Sequence, residues 1–311
     1  MTFKSAMKIY DLLDSAYADG EAVVKLFLAE GADEASFERL QGEEGFTDIV
    51  RIFLKGKNGK ASGGTAPTLN LAGSLVGIGA RPATVGLVGD GDGAVVTLAA
   101  GLKFLDMAKK GDGLEGDVVI LLNITASCTT HPAEPIADMY CCVNFWQMKD
   151  KFVDKTADAI LDVNVTRSSE IINHRGFAIT PTVKEGWLLR ISDDALFLMK
   201  QVTGEMPAVL PLTMQDLTPT RNGVRHINDI GALPEGTTPP CMGVALTSAL
   251  SINECGSGLT NLAEIEPAIR FCVEVAKAFG RGKFHFYDEE EFAKLVKLYG
   301  PMNHLQTFGN Q

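Results

Sequence analysis

The sequence predicts an α/β fold with a mixed central sheet flanked by helices, on three observations. A short apolar run, Val85 to Val88, leads into Gly89-Asp90-Gly91-Asp92-Gly93, then a helical stretch Ala94 to Lys110, then the apolar run Asp117 to Asn123. Strand, loop, helix, strand is a βαβ unit, which places parallel strands side by side under a covering helix. Further apolar runs of strand length occur at Ala157 to Val165, Phe177 to Val183, Gly186 to Ile191, Ala208 to Leu212 and Cys241 to Leu246, enough to complete a sheet. Finally, Leu262 to Phe279 reads as a long helix, with Asn261 as its cap, Glu264 at the capping-box position and Gly280 at its end.

The remaining elements follow in chain order. Met7 to Tyr17 and Glu21 to Glu30 carry apolar residues at helical spacing, and Gly31 suits the second helix's C-terminus. Asp48 to Leu54 (DIVRIFL) reads as a strand, followed by a turn, Gly56-Lys57-Asn58-Gly59-Lys60, whose glycines and asparagine accept left-handed backbone. Glycine recurs between Ser62 and Gly93, giving strand-and-loop character. Within Ala94 to Lys110, Ala, Leu, Lys and Met favour helix, and the lysines stand at the negative end of its dipole. Asp288 and Glu291 mark the start of a last helix that ends before Gly300-Pro301. No repeat, low-complexity tract or linker interrupts the chain, so residues 1–311 are expected to form one domain.

Composition narrows the functional classes. The 311 residues are 46% hydrophobic and 22% charged, ordinary globular usage with length for a full core. With 28 basic against 39 acidic residues the net charge is −11, which repels nucleic-acid phosphates and anionic lipid. Acids break every apolar stretch near the N-terminus, so neither a signal peptide nor a spanning segment is expected there. Six cysteines without a CxxC pair fit reduced thiols, hence a cytoplasmic location. A homo-oligomer binding a small molecule, with no nucleic-acid or membrane partner, is the expected state.

The loop from Gly89 to Gly93 is the sharpest chemical feature. Its glycines let backbone approach a ligand, and the helix start presents free N–H groups. Two carboxylates in the loop repel phosphate, and both the P-loop Lys-Ser/Thr and the dinucleotide glycine order are missing. Asp90 and Asp92 therefore suit a divalent metal or a cationic or amide group, while simple helix capping stays open as the alternative. Asp162 stands inside an apolar strand, a costly place for a carboxylate that is neither paired nor metal-bound. His131, His174 and His226 fall between strands, where an imidazole can be a base or ligand, or a plain surface histidine. Cys128 lies three residues from His131, though sequence proximity is not spatial pairing. Gln215, Asp216, Arg221 and Arg225 offer polar groups to a bound carboxylate, as would a solvated loop.

Three stretches carry a family resemblance: GGTAPTLNLAGSLVGIGARPATVGLVGDGDGAVVTLAAGLKF, DAILDVNVTRSSEIINHRGFAITPTVKEG, and AIRFCVEVAKAFGRG with YDEEEF. Over about Asp48 to Phe292 the chain resembles the prokaryotic family catalogued as domain of unknown function eleven-seventy-seven, which implies no assigned reaction. Where that family tends to read Thr-His-Ile-Cys, this chain has Leu122-Asn123-Ile124-Thr125. In element order it is also similar, more distantly, to di-zinc aminopeptidases, which implies a phosphorylase/hydrolase-like three-layer architecture. That resemblance matches Asp92 to a metal-bridging carboxylate and Asp162 to a later carboxylate ligand. It lacks the first His-x-Asp, where Ser74-Leu75-Val76 stands, the paired glutamates, where Ser127-Cys128 stands, and a final histidine near Asn253 to Gly258. Two carboxylates fall short of a zinc site, so the resemblance implies a metal centre lost or rebuilt.

The expected function is a hydrolase-like protein acting on or binding a small amide- or amino-acid-like ligand in a strand-end pocket. Asp90, His131 and His174 are its candidate catalytic residues. Asn123, Cys128, Arg175, Gln215, Asp216 and His226 are candidates for ligand binding, and Asp92 and Asp162 for a divalent metal, on the premise that these two meet in one cleft. The competing class is a non-catalytic binding or regulatory protein using the same pocket. A nucleotide-using enzyme is disfavoured by the acidic loop.

Overall fold

The apolar runs assemble into ten strands: β1 (Glu34–Gln41), β2 (Phe46–Leu54), β3 (Leu69–Val76), β4 (Val118–Thr125), β5 (Thr130–His131), β6 (Asp138–Met139), β7 (Ala159–Val165), β8 (Gly176–Lys184), β9 (Trp187–Leu188) and β10 (Cys241–Thr247). Six helices accompany them: α1 (Thr2–Leu13), α2 (Gly20–Glu30), α3 (Asp92–Lys109), α4 (Asp193–Thr203), α5 (Leu262–Gly280) and α6 (Glu289–Tyr299). The computed structural model describes residues 1–15, 17–42, 45–76, 87, 91–125, 130–131, 138–139, 141–143, 148, 151–166, 171–219, 222–228, 230–231, 238–249, 260–307 and 309.

Eight strands form one mixed sheet in the order β1-β2-β4-β3-β7-β10-β8-β9, while β5 and β6 pair separately. Its centre, β4-β3-β7-β10, is parallel, and both flanks are antiparallel. The parallel strands are buried on both faces, which explains why VVILLNIT and CMGVALT read as continuous apolar runs rather than alternating ones. The predicted βαβ unit exists, but its first strand is β3 rather than Val85 to Val88. Leu87 lies outside any strand, and Val85, Gly86 and Val88 lie outside the described residues.

Alternation along the strands divides the core into two. Leu71, Leu122, Leu161, Val163 and Val244 face the layer built by α1 to α5. On the other face Ile49, Ala72, Ile160 and Cys241 lie under Val143, Met148 and Phe152, and Ala178 and Ala245 lie under Leu210, Leu212 and Ile230. The central helix α3 is buried almost all round because α1 and α5 flank it over the sheet.

The helix start and stop signals are largely realised. Asp19 caps α2, and Gly31 takes the left-handed conformation at φ 95°. Asn261 caps α5 and Asp288 caps α6 through side-chain oxygens. The first helix begins at Thr2 and stops at Leu13, earlier at both ends than the spacing suggests. Two elements escape the sequence pattern. The edge strand β1, EASFERLQ, is largely exposed and charged; it is fixed by cross-strand pairing with β2, where Arg39 makes a bidentate contact to buried Asp48 opposite it. The helix α4 depends on its Ser192 cap and Gly204 at φ 74°.

Other expectations are corrected. Of Gly186 to Ile191 only Trp187 and Leu188 pair as a strand, and Ala208 to Leu212 contributes a single bridge, Val209 to Ile179. Gly56 to Lys60 bends without left-handed backbone, wrapping the carboxylate of Asp117, which accepts the N–H groups of Gly56 and Ala61 at 2.8 and 2.9 Å. Gly280 belongs to α5 instead of ending it. A Cβ there would lie 2.7 Å from the Gly116 nitrogen, so bare backbone is what lets the helix end touch the loop before β4. Gly280→Ala is accordingly expected to cost about 1–3 kcal/mol as an overpacking change. An unchanged urea midpoint would show that the contact is not tight. Among the described residues no helix is long and apolar enough to cross a membrane.

Candidate functional site

In open α/β sheets ligands gather where parallel strands end, because the crossover helices begin there and leave backbone N–H groups free. The matching edge here collects the ends of β7 and β10 and the N-termini of α3 and α5. Gly93 brings α3 against it, since a Cβ at that position would stand 2.7 Å from the Val163 carbonyl. The result is a small cleft of about 50 Å³ lined by Asp92, Val165, Thr166, Gly176, Leu246, Thr247, Ser248, Asn261, Glu264 and Ile265.

Among the described residues of this cleft, Asp92 Oδ1 is buried without a hydrogen-bond partner, on a residue 9% exposed; Thr247 Oγ1 is also unpartnered, but Thr247 shares strand parity with Ala245, on the face away from α3. Buried polar groups are normally paired, so an orphaned carboxylate oxygen on a cavity marks a place built for something else. The Asp92 carboxyl is pushed up to about 7, chiefly by burial and further by the charge of Glu264, against the Thr260 hydroxyl hydrogen bond that favours its ionised form. A group balanced near neutrality can hold or release a proton. A groove of about 720 Å³ lies between residues 187–194 and α6, but it is open and, among the described residues, has no such unpaired buried atom.

The premise that Asp92 and Asp162 meet is not met. Asp162 shares strand parity with Ile160, which lies on the face away from α3, whereas Leu161 and Val163 lie beneath the helices. Its carboxylate accepts the Gly231 N–H at 2.7 Å and sits beside Cys241, whose thiol is raised by burial and then by the Asp162 charge. The two acids are thus on opposite faces of the sheet. Among the described residues no group of three His, Cys, Asp or Glu gathers that could hold a metal.

The other candidates scatter. Asp216 is wholly buried, its oxygens taken up by the Thr213 N–H and hydroxyl and the N–H groups of Ile227 and Asn228, so it anchors a loop. Gln215 is exposed beside it. His226 is tied to the Thr218 hydroxyl and carbonyl at 2.9 and 3.0 Å. Asn123 is 1% exposed and donates to the Thr125 hydroxyl at 3.1 Å on the face away from the helices. Arg175 reaches the cleft through Glu264, with His174 preceding it in the chain. His131 pairs through its backbone with Asp138. Asp90, Cys128 and Arg221 lie outside the described residues.

Sequence reasoning missed Thr166, Thr247 and Ser248 as cleft residues and read Glu264 only as a capping residue. A signal was present: the apolar runs of β7 and β10 lead directly into hydroxyl residues at Thr166 and at Thr247-Ser248. Hydroxyls at the ends of parallel strands are polar groups delivered to the ligand-binding edge.

Solved structures place this architecture among known folds. A leucine aminopeptidase of Caenorhabditis elegans is similar at TM-score 0.52 and 12% identity, over 91% of this chain and 65% of its own. The bottromycin maturation enzyme BotP in complex with Mn is similar at TM-score 0.53 and 13% identity, over 90% and 71%. A cytosol aminopeptidase from Coxiella burnetii is similar at TM-score 0.52 and 12% identity, over 89% and 68%. The α/β fold is therefore aminopeptidase-like, and this chain spans 65% of the length of the nematode enzyme. No curated protein matches the sequence. The model of a protein family of unknown function, DUF1177, matches residues 38–309, and the chain belongs to that family.

Proposed function

We propose that the strand-end cleft takes a small amide- or amino-acid-like molecule and that Asp92 is its acid–base group. The observation that carries this reading is the buried, unpaired Asp92 Oδ1 on this cavity. An amine or amide N–H donates to it. Hydrolysis follows from the same group: ionised Asp92 takes a proton from a water as it attacks the ligand's carbonyl carbon, and returns that proton to the departing amine.

The manganese complex among the similar structures raises the question of a metal here. The described donor set does not fit one. Among the described residues, Asp92 and Glu264 are the carboxylates at the cleft, Asp162 is on the opposite face, and a zinc-type centre needs three or four ligands. The commitment of Asp162 to Gly231 also favours a second reading, binding without chemistry, since it removes the second carboxylate a metal-assisted hydrolase would use.

Calorimetric titration with alaninamide, alongside an ammonia-release assay, tests both. Ammonium binding favours ionised Asp92, so wild-type affinity is expected to be on the order of tenfold higher at pH 7.5 than at pH 5.5, and to be lost in Asp92→Asn. Ammonia release that depends on Asp92 supports hydrolysis, and binding without it supports the second reading. Binding that Asp92→Asn leaves intact, or none at all, overturns the proposal.

A further inference from the structure

A cation stands at the mouth of this acidic cleft. Arg175 immediately precedes Gly176, which lines the wall and whose open side lies 3.4 Å from the Glu264 carbonyl. The Arg175 side chain is 76% exposed, and its Nε is 3.8 Å from Glu264 Oε1, beyond hydrogen-bond length. The guanidinium therefore stands beside the carboxylate of Glu264, a residue of the cleft, with little to hold it.

The cleft's size decides what can use that donor. Pockets that enclose a drug-sized ligand span roughly 300–1,000 Å³. A cleft of about 50 Å³ is far below that range, so it takes a head group while the rest of any ligand projects past the rim. Charge decides the rest. With Asp92 and Glu264 inside and a chain of net charge −11, a carboxylate is repelled unless a local cation reverses the field. Planar guanidinium meets carboxylate through two parallel hydrogen bonds, a geometry an ammonium side chain cannot copy.

We infer that the ligand is zwitterionic: its ammonium group enters beside Asp92, and its carboxylate is held outside by Arg175, as in a free amino acid or a short peptide with a free C-terminus. Arg175 is then the specificity-determining residue of the site. The inference rests on the reading of the cleft as a ligand site, and the two fail differently.

Titration at pH 7.0 with alanine and with alaninamide, against wild type, Arg175→Gln and Asp92→Asn, separates them. Wild type is expected to bind alanine at least tenfold more tightly than alaninamide. Arg175→Gln should bring the two within about twofold while leaving alaninamide affinity as it was, and Asp92→Asn should weaken both. Equal wild-type affinity for the two probes, or a preference that survives Arg175→Gln, overturns the zwitterion inference and leaves the cleft reading standing. Failure of wild type to bind either probe overturns both.

Discussion

Replacing Asp92 by asparagine is expected to flatten the pH dependence of stability between about pH 4 and pH 7, the ordinary aspartate pKa and its value in the fold. The folded state raises this pKa, so between those values the native protein binds more protons than the unfolded chain. Stability contributed by protonated Asp92 is then complete below the unfolded pKa and is lost as pH rises through about 7. Each tenfold is worth ~1.4 kcal/mol, so the loss for this buried group is on the order of 4 kcal/mol across the window. Urea unfolding at half-unit pH steps measures it directly. Wild type should weaken toward neutrality relative to Asp92→Asn, which carries no proton to lose. Parallel curves for the two proteins would mean that Asp92 titrates as an ordinary carboxylate, and the acid–base role would go with it.

Asp216→Ala is expected to destabilise by about 3–5 kcal/mol. Its carboxylate accepts the N–H of Thr213 at 2.6 Å, the hydroxyl of the same residue at 2.8 Å, and the N–H groups of Ile227 and Asn228 at 2.5 and 3.3 Å. Removing it leaves several donors unpaired beside a wholly buried position, at ~1–3 kcal/mol for each that water cannot reach. The same carboxylate ties residue 213 to residues 227 and 228, and Asn228 in turn donates to Thr166 of the cleft. Loss of stability should therefore come with weakened binding at the cleft, measured by the alaninamide titration below the unfolding transition. A midpoint within 1 kcal/mol of wild type would show that the loop is held by other contacts.

The two aspartates show how far sequence reasoning reached. Both stand out in the chain, Asp92 beside a glycine-rich loop and Asp216 between prolines, and nothing in either local pattern separates a ligand-facing acid from one that pins backbone. The distinction lies in what each oxygen meets: Asp92 Oδ1 has no partner on a cavity, whereas the oxygens of Asp216 are taken by donors up to 12 residues away. Asp162 was conspicuous for the right physical reason, a carboxylate in an apolar strand, but its partner is the backbone of Gly231, 69 residues on. The strands β4, β7 and β10 were legible because burial on both faces demands unbroken apolar runs. The edge strand β1 was not, because its mostly exposed residues carry no burial pattern and its pairing comes from β2.

By itself, the sequence determined the α/β class, the parallel strands, most helix caps and the acids worth watching, since these depend on residue spacing and on local backbone preference. The tertiary structure alone decided which acids share a space. Side chains on one strand alternate between faces, so acids from separate segments meet only if parity and sheet order bring them to the same side. Parity sends Asp162 away from Asp92, while helix packing at the strand ends brings Glu264, with Arg175 beside it, to the cleft.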